Sequence, residues 1–146
     1  MHIKVLLVDD FEPIRQSLRS MLLRTGKFQV VGHATDGLEA IQKVQELQPD
    51  LILLDIGLPK LNGIAAVPQI RRVAPKSKIL FLTQNTSPEI VEAALGTGAH
   101  GYVVKSEAGT ELFEALESVI QGKQFVSRIL RTQARGKVVG GGEAGE

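Results

Sequence analysis

The chain of 146 residues contains no cysteine. Disulfide bonds, thiolate metal sites and cysteine nucleophiles are therefore excluded. An excess of charge of one sign is also lacking, because 17 Lys and Arg residues balance 16 Asp and Glu residues to a formal net charge of +1. A nearly neutral chain has no general electrostatic attraction to nucleic acid or to a membrane.

Long apolar runs are absent as well, and the longest is far short of the roughly 20 residues that cross a bilayer. The N-terminal segment "MHIKVLL" leads directly into a strand-like run, so it does not look like a secretory signal. A composition of 43% hydrophobic and 23% charged residues is that of a globular chain. The length suits one domain with its own core. We expect a soluble cytoplasmic protein.

Short strand-like runs alternate with helical patterns along most of the chain. The strand-like runs are residues 3–8, 28–33, 50–55, 78–83 and 101–105. The first, third and fourth are almost continuously apolar, as expected for parallel strands covered on both faces. This alternation predicts a three-layer, doubly wound α/β fold, (βα)5, with the parallel sheet order 2-1-3-4-5. Pro68 lies inside the third helical pattern and should kink that helix or delay its start.

The pattern decays near the C-terminus into "RTQARGKVVGGGEAGE". Its glycines and its lack of apolar periodicity favour a flexible segment. The sequence therefore predicts a folded domain at residues 1–125 and a flexible C-terminal tail or linker at 126–146.

Polar side chains stand where the predicted strands end. Strand 1 ends in Asp9 and Asp10, strand 3 in Asp55, strand 4 in Thr83 and strand 5 in Lys105. Because strands 1 and 3 are neighbours in the predicted order, three carboxylates meet at one rim and repel one another unless a cation neutralises them. Mg²⁺ prefers such oxygen ligands. The sequence therefore predicts a magnesium site at this rim.

The lysine and the threonine add a positive charge and a hydroxyl donor near the same carboxylates. A transferring phosphoryl group needs its charge neutralised on several oxygens at once. A carboxylate in this position can also act as the nucleophile. The residue types therefore indicate phosphoryl transfer.

The same residues carry a resemblance to a known family. Asp-Asp after strand 1, "LILLD" followed by "IGLPKLNG", Thr after strand 4 and "GYVVK" at strand 5 resemble the receiver domain of bacterial two-component response regulators (CheY-like). The stretch from "LTQNTSPEI" to "ESVIQG" is most similar to the NarL/FixJ/LuxR-type subfamily, which usually carries a helix-turn-helix output domain. The resemblance covers about residues 1–125 and implies a flavodoxin-like fold.

The resemblance implies a role for each residue of the rim. Asp55 would be the phosphoacceptor, taking phosphate from a sensor histidine kinase or a phosphotransfer protein. Asp10 and Asp55 would bind Mg²⁺, with Mn²⁺ as an alternative ion. Asp9 would act on the ion directly or through water, and the backbone carbonyl of Gly57 would add a ligand. Lys105 would pair with the phosphoryl group.

Thr83 and Tyr102 would be switch residues that respond to the phosphoryl group. They would change the surface formed by helix 4, strand 5 and helix 5, and so control an output partner. Transcription, controlled through a DNA-binding domain absent from this chain, is one such output. The chain itself would not contact nucleic acid or a membrane. A homodimer is an open alternative. Such a protein assists its own phosphorylation and dephosphorylation but is not a turnover enzyme.

Three positions depart from the family pattern. Ser106 follows Lys105 where many receivers have proline, and a cis bond there, as the resemblance suggests, would cost roughly 2.5–4 kcal/mol. Gln84 follows the threonine where many relatives have a small residue, so access is expected to be tighter. Gly57 leaves no side chain over the site. These differences bear on the lifetime of the phosphorylated state.

Other functions remain as alternatives. A phosphatase or phosphotransferase with an Asp nucleophile usually has a second acid two residues later, whereas this chain has Gly57 there. A flavin-binding protein of similar fold would need phosphate-cradling donors after strand 1, but "DDFEP" is acidic and would repel a phosphate. A receiver that no longer takes up phosphate is the third alternative.

Overall fold

Six parallel strands form one sheet in the computed structural model, which describes residues 2–131. The order is β2-β1-β3-β4-β5-β6, and every neighbouring pair is parallel. The strands are β1 Ile3–Val8, β2 Phe28–Ala34, β3 Leu51–Leu54, β4 Lys78–Thr83, β5 Gly101–Val104 and β6 Phe125–Val126. The predicted order of the first five strands is confirmed, and β6 adds a strand that the sequence pattern did not predict.

Five helices connect the strands and cover both faces of the sheet. They are α1 Glu12–Leu23, α2 Gly37–Leu47, α3 Gly63–Val73, α4 Pro88–Gly96 and α5 Ala108–Ile120. Buried residues of α1 and α5 belong to one hydrophobic cluster, and those of α2, α3 and α4 belong to the other. The three-layer, doubly wound, flavodoxin-like fold is therefore confirmed.

The apolar strands divide their side chains between these two clusters. In β1, Val5 and Leu7 pack in the cluster of α1 and α5, whereas Leu6 and Val8 pack in the cluster of α2, α3 and α4. Successive side chains of a strand point to opposite faces, so a strand covered on both sides must be apolar throughout. A fully buried leucine of this kind contributes about 2 kcal/mol by removing apolar area from water.

Side-chain caps fix where two of the helices begin. Asp36 accepts a hydrogen bond from the Glu39 backbone N–H at 2.8 Å, and Asn62 accepts one from the Ala65 N–H at 2.8 Å. Each cap satisfies a backbone donor that has no partner inside the helix. Because Asn62 sets the start of α3, that helix begins five residues before Pro68 and continues past it. Of the two expected effects of Pro68, a kink or a delayed start, the delayed start is therefore wrong, and the kink stays a prediction.

The folded chain continues past the boundary predicted at residue 125. Phe125 and Val126 pair with Gly101 and Tyr102 of β5, and a helical turn follows at residues 128–131. The short strand carries no periodic pattern that sequence reasoning could detect. The rest of the predicted tail, residues 132–146, lies outside the described residues. Among the helices of residues 2–131, none is long and apolar enough to cross a membrane.

Gly63 offers a test of how tightly α3 is joined to β3. A Cβ atom at Gly63 would overlap the backbone oxygen of Asp55, whereas a Cβ at Gly109 in α5 would meet nothing within 4 Å. We expect Gly63→Ala to lower the free energy of unfolding by about 1–3 kcal/mol, as overpacking does. Gly109→Ala should raise it by about 0.5 kcal/mol through helix propensity. Urea unfolding measures both, and equal stabilities of the two variants would contradict the close approach.

Candidate functional site

Four adjacent strands bring their carboxyl ends to one cleft. The register pairs Val8 with Leu54, Leu54 with Phe81 and Thr83 with Val104. The residues after β1 and β3 therefore stand side by side, and Lys105, after β5, reaches them past the end of β4. The cleft has a volume of about 960 Å³. Its lining includes six of the seven residues predicted for the site, namely Asp9, Asp10, Asp55, Gly57, Thr83 and Lys105. The seventh, Tyr102, lies behind the cleft in the core.

The Lys105 ammonium bridges two buried carboxylates. Its Nζ lies 2.7 Å from Asp9 Oδ2 and 3.1 Å from Asp55 Oδ2. The two carboxylate side chains are only 4% and 9% exposed. Burial by itself disfavours the charged ammonium, but the hydrogen bonds and negative charges of Asp9 and Asp55 outweigh it and raise the pKa of Lys105. The lysine is therefore held in its charged form between the two acids.

The backbone supplies further donors to the same two carboxylates. Asp55 Oδ1 accepts a hydrogen bond from the Ile56 N–H at 2.8 Å. Asp9 Oδ1 accepts one from the Phe11 N–H at 2.9 Å. These bonds fix the direction of each carboxylate and leave one oxygen of each facing Lys105. Each of the two carboxylates is thus oriented both by a backbone donor and by Lys105.

Asp10 differs from its neighbour in having no partner among the residues that the structure describes. It is exposed, and no side chain or backbone group among residues 2–131 forms a hydrogen bond or an ion pair with it. Yet one oxygen each from Asp9, Asp10 and Asp55 can be chosen so that all three lie within 4.8 Å of one another. Three carboxylates beside a single lysine leave an excess of negative charge. An oxygen-only set of this kind suits a hard dication.

Gly57 keeps the cleft open on the side of the β3–α3 loop. It is exposed, and a Cβ atom there would meet nothing within 4 Å. This open space agrees with the expectation that no side chain projects over the site from Gly57. Its carbonyl as a metal ligand stays a prediction.

Thr83 and Tyr102 are joined through a residue that sequence reasoning missed. The Asn85 N–H points to Thr83 Oγ1 at 3.4 Å, and the Tyr102 hydroxyl donates to the Asn85 carbonyl at 2.8 Å. The Asn85 side chain accepts from the Ser87 N–H at 3.0 Å, which forms a tight turn after β4. Asn followed two residues later by Ser is a turn signal that could have identified it.

The peptide bond after Lys105 is trans, since the described residues contain no cis peptide bond. The cis bond suggested by the family resemblance is therefore not found. Ser106 has no proline ring, and without that ring the trans form is favoured by several kcal/mol. Lys105 instead begins a 3₁₀ turn, Lys105–Glu107, that leads into α5.

Tyr102 is fully buried and packs against Phe81 with ring centroids 6.1 Å apart. Burial, with the negative charge of Asp55 as a smaller cause, raises the pKa of Tyr102 to about 12. The Tyr102 hydroxyl is therefore close enough to Asp55 for the two groups to interact electrostatically, although Tyr102 does not line the cleft.

Comparison with known proteins places this geometry among response regulators. The family profile of the response regulator receiver domain matches residues 5–117. The response regulator protein VraR of Staphylococcus aureus is 37% identical over 123 residues, which are 84% of this chain and 59% of VraR. The chain thus spans less than two thirds of the length of that relative.

Solved structures give the same result. A two-component response regulator of the LuxR family from Aurantimonas sp. SI85-9A1 superposes with a TM-score of 0.88 at 30% identity, over 94% of this chain and 98% of that one. The isolated receiver domain of RcsB from Salmonella enterica serovar Typhimurium, solved with the phosphomimetic BeF3⁻, superposes with a TM-score of 0.84 at 27% identity. That match covers 90% of this chain and 98% of the RcsB domain.

The single tyrosine of the chain allows a direct titration. We expect the absorbance of tyrosinate to rise with a midpoint near pH 12 in the folded protein, because the pKa of Tyr102 is raised to about 12. In denaturant the midpoint should be about 10. The unfolded chain releases its proton first, so the free energy of unfolding should be unaffected below about pH 10 and should fall above it as the pH approaches the folded pKa.

Variants separate the two causes of this shift. Asp55→Asn removes the negative charge and should lower the Tyr102 midpoint, whereas Asp10→Asn serves as the matched control and should leave it unchanged. A midpoint near 10 in the folded protein, or an equal effect of the two variants, would contradict the placement of Tyr102.

Proposed function

The chain belongs to the response regulator receiver domain family of two-component systems, and we propose that it is a phosphorylation-controlled switch with Asp55 as its phosphoacceptor. The observation that carries this proposal is the 3.1 Å approach of the Lys105 ammonium to Asp55 Oδ2 inside an open cleft. A phosphoryl group on Asp55 would lie beside a fixed positive charge. Such charge compensation is what phosphoryl transfer needs.

The phosphoryl donor would be a phosphohistidine of a sensor histidine kinase or of a phosphotransfer protein. A carboxylate oxygen of Asp55 forms the new bond to phosphorus while the phosphorus–nitrogen bond of the donor breaks. The donor imidazole keeps that electron pair and takes up a proton. Later attack by water on the acyl phosphate returns the free carboxylate and inorganic phosphate. The chain therefore assists its own phosphorylation and dephosphorylation without being a turnover enzyme.

Asp10, Asp55 and the backbone carbonyl of Gly57 would hold Mg²⁺ or Mn²⁺, with Asp9 acting directly or through water. The oxygen-only donor set supports this assignment, as does Asp10, which has no partner within residues 2–131. When bound, the ion supplies positive charge that neutralises phosphoryl oxygens. Asp9 is already paired with Lys105 at 2.7 Å, so it orients the lysine as well.

Thr83 and Tyr102 would pass the change at Asp55 to the surface of α4, β5 and α5. In the proposed switch the Thr83 hydroxyl turns toward a phosphoryl oxygen and gives up the long contact with the Asn85 N–H. Asn85 also holds the Tyr102 hydroxyl, so its movement changes both the core and the loop before α4. The short path through one residue supports a concerted response.

The output would be control of transcription through a DNA-binding domain, in the cytoplasm. Similarity to LuxR-family response regulators supports this. The receiver would meet its kinase and a second receiver copy through its surface, and it would not itself contact nucleic acid or a membrane.

Phosphorylation of the purified chain tests the assignment of Asp55. With acetyl phosphate and Mg²⁺, we expect intact mass spectrometry to detect one phosphoryl adduct that is labile to base. The adduct should be absent without Mg²⁺ and absent in Asp55→Asn. Asp50→Asn is a matched control, because Asp50 precedes β3 at the opposite end of the sheet and should not affect the adduct. An adduct that persists in Asp55→Asn would exclude the assignment, and no adduct in the unaltered chain would favour a receiver that has lost the chemistry.

Removal of Lys105 should change the Mg²⁺ affinity and the rate of phosphoryl transfer in opposite directions. Lys105→Ala removes a cation that lies against Asp9 and Asp55, so the carboxylates should bind Mg²⁺ more tightly, by about 1 kcal/mol or about fivefold. The rate of phosphorylation by acetyl phosphate should fall in the same variant, because the phosphoryl group loses its fixed charge.

Isothermal titration calorimetry with Mg²⁺ measures the affinity, and intact mass measures the rate. Lys27→Ala is the matched control, since Lys27 forms its ion pair with Glu117 instead. Weaker Mg²⁺ binding by Lys105→Ala would mean that the lysine supports the metal site and does not compete with it.

A further inference from the structure

Glu111 is a buried carboxylate outside the cleft. It lies in the first turn of α5 and is 2% exposed. Its Oε1 accepts a hydrogen bond from the Ser127 hydroxyl at 2.6 Å, and its Oε2 accepts one from the Arg128 backbone N–H at 3.0 Å. Among residues 2–131 no cationic side chain pairs with it. A buried charge held only by neutral donors is costly unless every lone pair is used.

Ser127 connects Glu111 to β5 through hydrogen bonds. It is fully buried, and its hydroxyl oxygen also accepts a hydrogen bond from the Val104 N–H at 2.9 Å. Its own N–H donates to the Tyr102 carbonyl at 2.9 Å. Because β6 ends at Val126, the Ser127 side chain takes the place of a strand carbonyl at the outer edge of β5. Glu111 fixes the hydroxyl so that its oxygen faces Val104.

Val104 is the last residue of β5, and Lys105 follows it directly. On the inner side, Val104 is paired with Thr83 of β4. On the outer side, its N–H is held by Ser127 alone among the described groups. At this point the chain leaves the sheet and enters the 3₁₀ turn Lys105–Glu107. The hydrogen bond from Val104 to Ser127 therefore sets the direction in which the lysine leaves the strand.

We propose that Ser127, oriented by Glu111, is a positioning residue for Lys105. This proposal rests on the proposed function of Lys105 at Asp55. The segment of residues 125–131, which follows α5, thereby contributes to the geometry of the cleft. By linkage, a ligand that moves Lys105 alters the docking of this segment by the same coupling free energy. The segment is thus a route from the cleft to whatever part of the protein follows it.

A purely structural role is the competing explanation, in which Ser127 only anchors the segment of residues 125–131. Other contacts already anchor it, since Leu130 is buried in the cluster of α2, α3 and α4 and Arg131 lies over the Phe125 ring at 5.6 Å. The two explanations differ in one respect. A positioning residue acts through Lys105 and loses its effect when the lysine is absent, whereas an anchor does not.

A double-mutant cycle on Mg²⁺ affinity distinguishes them, with the full chain and calorimetry. Ser127→Ala should strengthen Mg²⁺ binding by about two- to threefold, because a loosened Lys105 spends less time against Asp9 and Asp55. In the Lys105→Ala background the same change should have no further effect. Arg128→Ala is the matched control, since it removes the ion pair with Glu114 but keeps the backbone N–H that donates a hydrogen bond to Glu111. It should leave the affinity unchanged.

Equal shifts from Ser127→Ala in both backgrounds, or no shift in either, would overturn the proposal. Where Ser127→Ala does not fold, Glu111→Gln takes its place, because a glutamine amide has an acceptor oxygen at only one of the two positions to which Ser127 and Arg128 donate. Its shift should likewise vanish without Lys105, and a shift that persists would overturn the proposal in the same way. Phosphorylation of the unaltered chain at Asp55 is measured separately, so failure of the proposed function is distinguishable from failure of this coupling.

Discussion

One ammonium between two buried carboxylates is the interaction on which the arrangement of the site depends. Asp9 and Asp55 lie at the ends of adjacent strands and are almost inaccessible to water, so their charges cannot coexist without a cation. Lys105 supplies it from two strands away. Losing one partner would leave an uncompensated buried charge, which typically costs about 3–5 kcal/mol. The order of the parallel sheet, which brings β1, β3 and β5 to one rim, is what makes this compensation geometrically available.

The same interaction leaves the site responsive. The lysine satisfies two of three carboxylates, and Asp10 remains exposed and without a partner among residues 2–131. Any added cation competes with Lys105 for Asp9 and Asp55, while any added anion attracts it. In the proposed switch, Lys105 would therefore change position when the charge at Asp55 changes. A site with fully matched charges would be more stable, but a change of charge nearby would displace its side chains less.

Strand-end reasoning predicted the rim, because Asp9, Asp55 and Lys105 each follow an apolar strand whose place in the sheet follows from the βα alternation. The pairing of Lys105 with Asp9 and not Asp10 was not predicted, although the alternation of side chains between the two faces of the sheet indicates it. Leu7, Leu53 and Val103, two residues before each partner, all pack in the cluster of α1 and α5. The roles of Asn85 and Ser127 depend on side-chain hydrogen bonds across 17 and 23 residues of chain, which no local pattern encodes.

Alternation also explains why β5 connects the charged rim with the rest of the molecule. Val103 faces α1 and α5, on the side where Asp9, Asp55 and Lys105 meet, whereas Tyr102 and Val104 face the cluster of α2, α3 and α4. Leu130, in the turn that follows β6, packs in that second cluster too. Lys105 and Val104 share a peptide unit, and the N–H of Val104 donates to Ser127, so a shift of the Lys105 backbone would reach Ser127 through one hydrogen bond. If Ser127 positions Lys105 as proposed, the outer edge of β5 is where a change in charge at Asp55 would reach the segment of residues 125–131.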